Sequence, residues 1–370
     1  MKRGVRAVCL AALLLGACSG QHPTAVRSRP TGPAPVATAP PVPDLPVYAH
    51  TGAGNLSPKV SGERALVYVP NSESATVDVI DPATFAVVGH FAVGRLPQHV
   101  TPSWDLGTLY VDNDQGNSLT PIDPHTAEPG QAIPVDDPYN LYFSPDGTKA
   151  IVVAERRHRL DVRDPHTWKL IASLPVPCRG VDHADFTSDG TVMVASCEFS
   201  ADLVRVDLRT LTVTAALHVG GQPVDVKLSP DGSVMYVANQ KRGGVSVIDP
   251  TSLKEVRFIP TGKGTHGLYP SRDARWLYAT NRGEGTISVL DFATGAPHAT
   301  WRIGGSPDMG GVTADGSQLW VSGRYDGAVY VVDTATGRLL HTIKVGAGPH
   351  GLCVWPQPGR YSLGHTGNTR

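Results

Sequence analysis

The sequence lacks an excess of charge of either sign. Its 370 residues include 32 Lys and Arg against 33 Asp and Glu, and 18% of the residues are charged. This low fraction excludes a disordered polyelectrolyte. The balance also argues against a protein that is held to nucleic acid by general electrostatics.

Long apolar runs and familiar enzyme motifs are lacking as well. After the N-terminal region, no stretch has the roughly 18 apolar residues that a transmembrane helix needs. The sequence contains no G-x-S-x-G elbow, no H-E-x-x-H helix, no phosphate-binding G-x-x-x-x-G-K and no EF-hand loop. We therefore assign no catalytic residue from motifs.

The N-terminal residues are predicted to direct export and lipidation. Three basic residues precede an apolar stretch over 7–15, which is too short for a mature membrane span. Leu15-Gly16-Ala17-Cys18 resembles a bacterial lipobox, so residues 1–17 are predicted to be a lipoprotein signal peptide and Cys18 the lipid attachment site. The alternative is an ordinary secretory cleavage site with an incidental Cys18. Because no twin-arginine pair precedes the apolar stretch, we expect the general secretion route and an anchor on the outer face of the cytoplasmic membrane.

Residues 18–46 are predicted to form a tether from the lipidated cysteine. Eight prolines fall within 19–46, among small residues, which is typical of an extended segment without a packing role. The folded domain is expected over 47–370. The 40 glycines and 32 prolines of the chain supply turn residues for many short strands and fit long helices poorly.

An internal repeat runs through this domain. An aspartate after a β-branched run recurs every 41 to 43 residues, and a Thr or Ser follows three positions later in each copy. The seven aspartates are Asp81, Asp123, Asp164, Asp207, Asp249, Asp291 and Asp333. A second register with the same spacing runs from Asp105 to Asp315. Two interleaved registers indicate a repeat architecture.

Each repeat is predicted to contain four strands. In one copy the strands are expected at 224–228, 234–238, 244–248 and 255–259, with Ser229-Pro230-Asp231-Gly232 and Asp249-Pro250-Thr251-Ser252 as turns. Four strands in about 40 residues, repeated seven times, predict an all-β, seven-bladed β-propeller.

The repeat resembles that of the YVTN-repeat, YncE-like propeller family. Tyr236-Val237-Ala238-Asn239 and Val245-Ser246-Val247-Ile248-Asp249 are close to the family consensus, and the likeness covers roughly residues 50–370. The resemblance implies a seven-bladed fold. It implies no single activity, because one fold hosts many functions.

The ring is expected to close through the C-terminus. Residues 349–355 have the pattern of one more innermost strand, and Tyr361 to Asn368 resemble the strand after it. We expect the C-terminal strand to complete the first blade, whose own innermost strand near 56–60 is degenerate. An eighth blade is the alternative.

Polar side chains recur where innermost strands begin and in the loops that face them. Propeller geometry brings these positions to one axial funnel. The predicted funnel residues are His99, Asp182, His183, Glu198, Asp225, His266, Asn281, Arg282, Asp308, Arg324 and His350. Neutral imidazoles with carboxylates suit borderline metal ions. The competing interpretation is a polar rim whose histidines bond to backbone.

Two cysteines fall on the same rim. Cys178 precedes the fourth blade and Cys197 ends its second strand, so export to an oxidising compartment predicts a disulfide between them. The alternative is a metal cluster of Cys178, His183 and Cys197, although its spacing resembles no standard zinc motif. Cys353 lies in an apolar strand and is expected to be buried.

These patterns predict a monomeric, membrane-anchored scaffold that binds a small polar ligand or another envelope protein through its funnel. No cofactor is predicted, and the membrane contact is through the lipid alone. Arg156, Arg157, His158 and Arg159 form a basic run, which we interpret as a solvated rim rather than a nucleic-acid site. A metal-dependent enzyme or redox accessory that uses the funnel His, Asp and Cys residues, with a bound divalent metal, is the alternative. A purely architectural envelope protein is another.

Overall fold

The computed structural model describes residues 46–365 and 368–370, and all regular elements in these residues are β-strands. The predicted signal peptide, Cys18 and nearly all of the tether lie outside the described residues. Within 46–365 and 368–370, no helix has the length and apolar character that a membrane crossing requires.

Seven antiparallel sheets form the blades of a ring, which confirms the predicted all-β, seven-bladed propeller. Blades 1 and 2 contain β1 (Leu66–Asn71), β2 (Thr76–Asp81), β3 (Ala86–Ala92), β4 (Pro97–Pro102), β5 (Leu109–Asn113), β6 (Ser118–Asp123), β7 (Glu128–Pro129) and β8 (Ile133–Pro134). Blades 3 and 4 contain β9 (Pro138–Phe143), β10 (Ala150–Ala154), β11 (Arg159–Arg163), β12 (Leu170–Pro175), β13 (Val181–Phe186), β14 (Val192–Cys197), β15 (Asp202–Asp207) and β16 (Thr212–His218).

The remaining blades follow the same order. Blades 5 and 6 contain β17 (Pro223–Leu228), β18 (Met235–Asn239), β19 (Gly244–Asp249), β20 (Lys254–Pro260), β21 (Thr265–Pro270), β22 (Trp276–Asn281), β23 (Thr286–Asp291) and β24 (Pro297–Arg302). Blade 7 contains β25 (Pro307–Val312), β26 (Gln318–Gly323), β27 (Ala328–Asp333) and β28 (Leu339–Lys344), and the last strand is β29 (Cys353–Trp355).

Burial falls from the inner to the outer strand of a blade. In blade 5 all six residues of β17 are buried, whereas most of β20 is exposed. Apolar side chains fill the spaces between neighbouring blades, as Tyr142 and Phe186 do between blades 3 and 4. Stacked blade faces therefore form the core, and the innermost strands line the central channel.

The repeated turn after the innermost strand is held by its own side chains. In blade 5 the Ser229 hydroxyl donates to Asp231 Oδ1 at 2.6 Å, and Asp231 Oδ1 accepts the backbone N–H of Ser233 at 3.0 Å. Gly232 has a φ of 74°, a conformation that glycine adopts without a steric cost. These bonds explain why the S-P-D-G pattern recurs at the blade spacing.

Blade 2 departs from the regular pattern at its outer edge. β7 pairs with one end of β6 and β8 with the other, so two short strands replace one outer strand. Pro129 and Pro134 lie in these two strands, and proline cannot donate a ladder hydrogen bond. Proline thus accounts for the broken edge.

The C-terminal strand closes the ring, as predicted. β29 is the innermost strand of blade 1 and pairs with β1, with Val354 opposite Val67. The chain near 56–60 forms turns and no strand. The expectation that Tyr361 to Asn368 resemble a second strand is wrong: the described residues there make isolated bridges, such as Gly364 with Tyr142 of β9. This segment instead packs across the end of the channel.

Candidate functional site

β-bulges place the polar side chains in the channel. The pairing of β13 with β14 shifts register between Val181 and Ala184, so Asp182 and His183 leave the ladder. The same shift occurs at the start of β4, β17, β21 and β25. Bulges re-aim side chains, and here they direct residues from several blades toward one axis.

The upper rim is formed by the connections that precede each innermost strand and by the loops after the second strands. Backbone hydrogen bonds join the two kinds of connection, for example from the Glu198 N–H to the Gly180 carbonyl at 2.7 Å. Most of the predicted funnel residues therefore lie at this end of the molecule, on the rim or just below it.

One group of channel residues gathers around a single carboxylate, and we call it the paired cluster (Asp308, His266, His350 and Arg282). The Asp308 carboxylate lies 2.7 Å from His350 Nδ1 and 3.2 Å from His266 Nδ1. It also accepts a hydrogen bond from Arg282 Nη1 at 3.0 Å. The aspartate thus holds two histidines and one guanidinium from neighbouring blades.

The paired cluster continues along the rim through amide side chains. Arg282 Nη2 donates to Gln240 Oε1 at 2.5 Å, and Gln240 Nε2 donates to Glu198 Oε1 at 3.1 Å. Gln222 donates to the same Glu198 oxygen. A continuous polar network therefore connects blade 7 with blade 4.

A second group of histidines is the unpaired cluster (His99, His183 and His365). One ring nitrogen from each lies within 4.8 Å of the others. All three rings are at most 1% exposed. His99 Nε2 and His183 Nε2 make no hydrogen bond, whereas His183 Nδ1 lies against the Asp182 carboxylate and His365 Nε2 lies 3.3 Å from Asp225 Oδ1. Buried polar atoms without partners are unusual and call for a physical explanation.

His365 reaches this cluster from the lower end of the channel. The Ser362 N–H donates to the Trp104 carbonyl in a lower-rim turn at 3.0 Å, and the Arg370 guanidinium donates to both Asp185 oxygens at 2.9 and 2.8 Å. Gly364, with a φ of 91°, lies so close to Leu141 that a side chain there would clash. The C-terminal segment therefore closes the channel from below.

The predicted open funnel needs correction for this reason. The polar side chains converge as expected, but His99, His183, Asp182 and Asp308 are at most 1% exposed. Neighbouring histidines and the C-terminal segment fill the axis. The accessible polar surface is the rim above it, where Glu155, Glu198, Arg282 and Arg324 are partly exposed.

Burial sets the protonation of most channel histidines. It lowers the pKa of His99 well below its usual range, and the rings of His350 and His365 add to the effect. It lowers the pKa of His365 to about 4 and that of His350 to about 3. Burial also acts on His183, but the adjacent Asp182 carboxylate outweighs it and raises the pKa.

Carboxyl groups on the rim shift in the opposite direction. Burial raises the pKa of Glu155 to about 9, and the charges of Asp182 and Glu198 add to this shift. Burial and Asp182 raise the pKa of Glu198 to about 7. Both groups therefore hold protons more strongly than solvated carboxylic acids do.

Two predicted funnel residues serve the scaffold instead. Asp225 accepts hydrogen bonds from the backbone N–H groups of Val226 and Leu268 at 2.9 and 2.8 Å, and the second bond links blade 5 to blade 6. Asn281 Nδ2 donates to Thr286 and Ser288 across its own hairpin, both at 3.0 Å. The sequence could not separate these roles because the same residue types occupy corresponding positions in other blades.

The two rim cysteines form the predicted disulfide. Cys178 and Cys197 are joined, with their Cα atoms 6.0 Å apart. The alternative of a metal cluster with His183 is wrong, because thiolate ligands are not available from a disulfide. Cys353 is buried in β29, as expected.

The sequence interpretation missed three residues. His365 lies outside the repeat, so no periodicity marked it. Phe199 and Tyr325 lie in upper-rim loops and are 59% and 71% exposed. Their loop positions were readable from the repeat, but their exposure was not.

The comparisons agree with this architecture. A family model described as a YNCE-like beta-propeller matches residues 44–359, and no curated protein matches the chain. Hydrazine synthase of Kuenenia stuttgartiensis is similar in structure, with a TM-score of 0.65 and 20% identity over 76% of this chain and 97% of that chain. A putative 6-phosphogluconolactonase from Bacteroides uniformis has a TM-score of 0.65 and 17% identity, covering 78% and 99%.

A third similar structure is the dihydro-heme d1 dehydrogenase NirN in complex with DHE. Its TM-score is 0.61 with 18% identity, covering 85% of this chain and 83% of that chain. Likeness at these identities shows the shared propeller fold and no shared chemistry.

Proposed function

The chain belongs to the YncE-like β-propeller family, and we propose that it is an exported binding protein whose upper rim contacts an envelope protein or a small polar ligand. In this proposal Cys18 carries the lipid, residues 18–46 are the tether, and the monomeric propeller is held at the outer face of the cytoplasmic membrane. The Cys178–Cys197 disulfide supports an oxidising compartment.

Two exposed aromatic side chains on the upper rim carry this proposal. Phe199 is 59% and Tyr325 is 71% exposed, and the Arg282 guanidinium lies 5.3 Å from the Tyr325 ring centre. Among the residues that the structure describes, the other strongly exposed large apolar residues belong to outer strands, as Val256 does at 59%. Aromatic and arginine side chains are enriched in protein interfaces and dominate their binding energy.

Arg324 indicates the chemistry of the partner. Its Nη1 atom is buried and has no hydrogen-bond partner. A guanidinium forms its strongest hydrogen bonds with carboxylates. We therefore expect the bound group to offer a carboxylate to Arg324, from an acidic side chain or from a small carboxylate ligand.

The ion pairing of the basic run supports a partner other than nucleic acid. Arg156 Nε lies 2.6 Å from Asp137 Oδ1, and Arg157 and Arg159 both pair with Asp136. Acidic neighbours thus offset the charge that phosphate binding would use.

Site-specific photo-crosslinking in the intact cell tests this function. A photoreactive residue at Phe199 or Tyr325 should give a discrete adduct, and the change Arg324→Ala should weaken it. Val256 is the matched control because it is as exposed as Phe199 but lies on an outer strand. Adducts of equal yield from Val256, or none from either rim position, would contradict binding of a protein partner at the rim. Thermal stabilisation by small carboxylates that is lost in Arg324→Ala would then assign the rim to a small ligand.

A further inference from the structure

The unpaired cluster has the donor set of a metal centre. Three imidazoles approach one another with one nitrogen each inside a 4.8 Å span, and His99 Nε2 and His183 Nε2 have no hydrogen-bond partner. Burial removes these imidazoles from water, and His99 Nε2 and His183 Nε2 gain no protein partner in exchange. A shared cation would satisfy their lone pairs together.

Oxygen acceptors orient the other side of each ring. His99 Nδ1 lies 2.9 Å from the Tyr139 carbonyl oxygen, which places the proton on Nδ1 and leaves the Nε2 lone pair free. His183 Nδ1 lies against the Asp182 carboxylate, and His365 Nε2 is 3.3 Å from Asp225 Oδ1. Metal-ligating histidines usually have such a partner on the non-ligating nitrogen.

One contact competes with a ligand role for His365. Asn140 Nδ2 lies 3.1 Å from His365 Nδ1. If His365 Nε2 donates to Asp225, its Nδ1 is the ligating atom, and metal binding would replace the Asn140 contact. Asn140 has a second neighbour for this amide nitrogen, the Tyr142 hydroxyl at 3.3 Å.

We infer that His99, His183 and His365 bind a divalent first-row transition-metal ion such as Zn²⁺. Imidazole nitrogen suits zinc, copper, nickel and iron, whereas calcium and magnesium take oxygen ligands. Three protein ligands leave a fourth position for water. The inference goes beyond the proposed rim function and does not rest on it.

The paired cluster is unsuited to the same ion. Asp308 already neutralises Arg282 and accepts from His350, and the guanidinium 3.0 Å from its Oδ1 would repel a cation. His266 Nδ1 is occupied as well, 3.0 Å from Met309 Sδ. His266→Gln is therefore a matched control from the same channel.

Metal titration of the full-length protein tests the inference. After removal of metals with a chelator, Zn²⁺ binding is measured by competition with a chromophoric chelator, and bound zinc is counted by elemental analysis. We expect one zinc per chain. His99→Gln, His183→Gln and His365→Gln should each weaken binding by more than about 100-fold, since loss of a mere outer partner costs about 10 to 100-fold. His266→Gln should bind as the parent does.

Thermal unfolding separates lost binding from lost folding. Zn²⁺ should raise the melting temperature of the parent and of His266→Gln but leave that of His183→Gln unchanged. The inference would be overturned if the parent bound no stoichiometric zinc, or if all three variants of the unpaired cluster bound zinc as tightly as the parent. An equal loss of zinc binding in His266→Gln would overturn it as well. Failure of the rim cross-links has no bearing on this result, because those use neither zinc nor a channel histidine.

Discussion

The channel contains two clusters of buried histidines, the paired cluster and the unpaired cluster, which differ in the partners that their ring nitrogens have. In the paired cluster one aspartate accepts hydrogen bonds from His350 and Arg282 and lies 3.2 Å from His266. In the unpaired cluster His99 Nε2 and His183 Nε2 have no hydrogen-bond partner. An unsatisfied buried polar group costs about 1 to 3 kcal/mol, so folding alone does not favour the second arrangement. The difference separates histidines that hold the ring together from histidines placed for a ligand.

Breaking the paired cluster should give the largest effect. Asp308→Asn removes the fully buried charge that balances Arg282, whose guanidinium then keeps only its hydrogen bond to Gln240. We expect a loss of about 3 to 5 kcal/mol in the free energy of unfolding. Chemical denaturation of the metal-free protein measures this change. A loss below about 1 kcal/mol would show that the pairing contributes little to stability.

The closure of the lower end should be the next most sensitive feature. Arg370→Ala removes both hydrogen bonds to Asp185 and the packing of the guanidinium on the Tyr48 ring, 4.6 Å away. Backbone N–H groups of Phe186 and Leu228 still bind Asp185, so we expect a smaller loss of about 2 to 3 kcal/mol. Arg360→Ala, at an exposed position in the same segment, is the control for denaturation experiments. Equal stability of the two variants would contradict the proposed anchoring role.

A matched pair of histidine changes sharpens the comparison. Without metal, His350→Gln should lower the free energy of unfolding by about 1 to 3 kcal/mol because it breaks the bond to Asp308. His99→Gln should lower it by less, by about 0.5 to 1.5 kcal/mol, because it loses only one hydrogen bond, to the uncharged Tyr139 carbonyl. Chemical denaturation of both variants measures the difference between their free energies of unfolding. The reverse order would mean that the unpaired cluster is the structural one.

Acid should weaken the paired cluster by a smaller amount. Burial alone would raise the pKa of Asp308, but His266 and Arg282 outweigh it and hold the pKa well below the usual range. A carboxyl whose pKa is depressed on folding stabilises the protein above its unfolded value of about 4, and this contribution is lost as the pH falls below that value. The stability difference between the parent and Asp308→Asn should therefore be constant above about pH 5 and narrow as the pH falls below about 4. A stability difference that stays constant down to about pH 3 would contradict a lowered pKa for Asp308.

The repeat made the scaffold predictable because every blade uses the same local chemistry. Turns such as the one at Asp231 are fixed by their own side chains, and ring closure followed from the resemblance of residues 349–355 to other innermost strands. Burial of His183 was not predictable in this way. It depends on His365, which arrives from a segment outside the repeat and meets partners 140 residues or more away in the sequence.

The direction of individual side chains was the second feature of the site that the sequence did not predict. Asn281 and Arg282 are adjacent in the sequence, yet one bonds within its own hairpin and the other spans two blades. Bulges at the strand starts change which of two neighbouring residues faces the axis. Residue type and spacing identified the end of the propeller that carries the polar groups, but not the pairing among them.

Anomalous X-ray diffraction from a crystal of the protein soaked in Zn²⁺ tests the central distinction most directly. The account predicts one strong zinc peak bounded by ring nitrogens of His99, His183 and His365, and no peak at His266 or His350. A strong peak in the paired cluster would contradict it. So would zinc found only at exposed pairs such as His218 with Asp202.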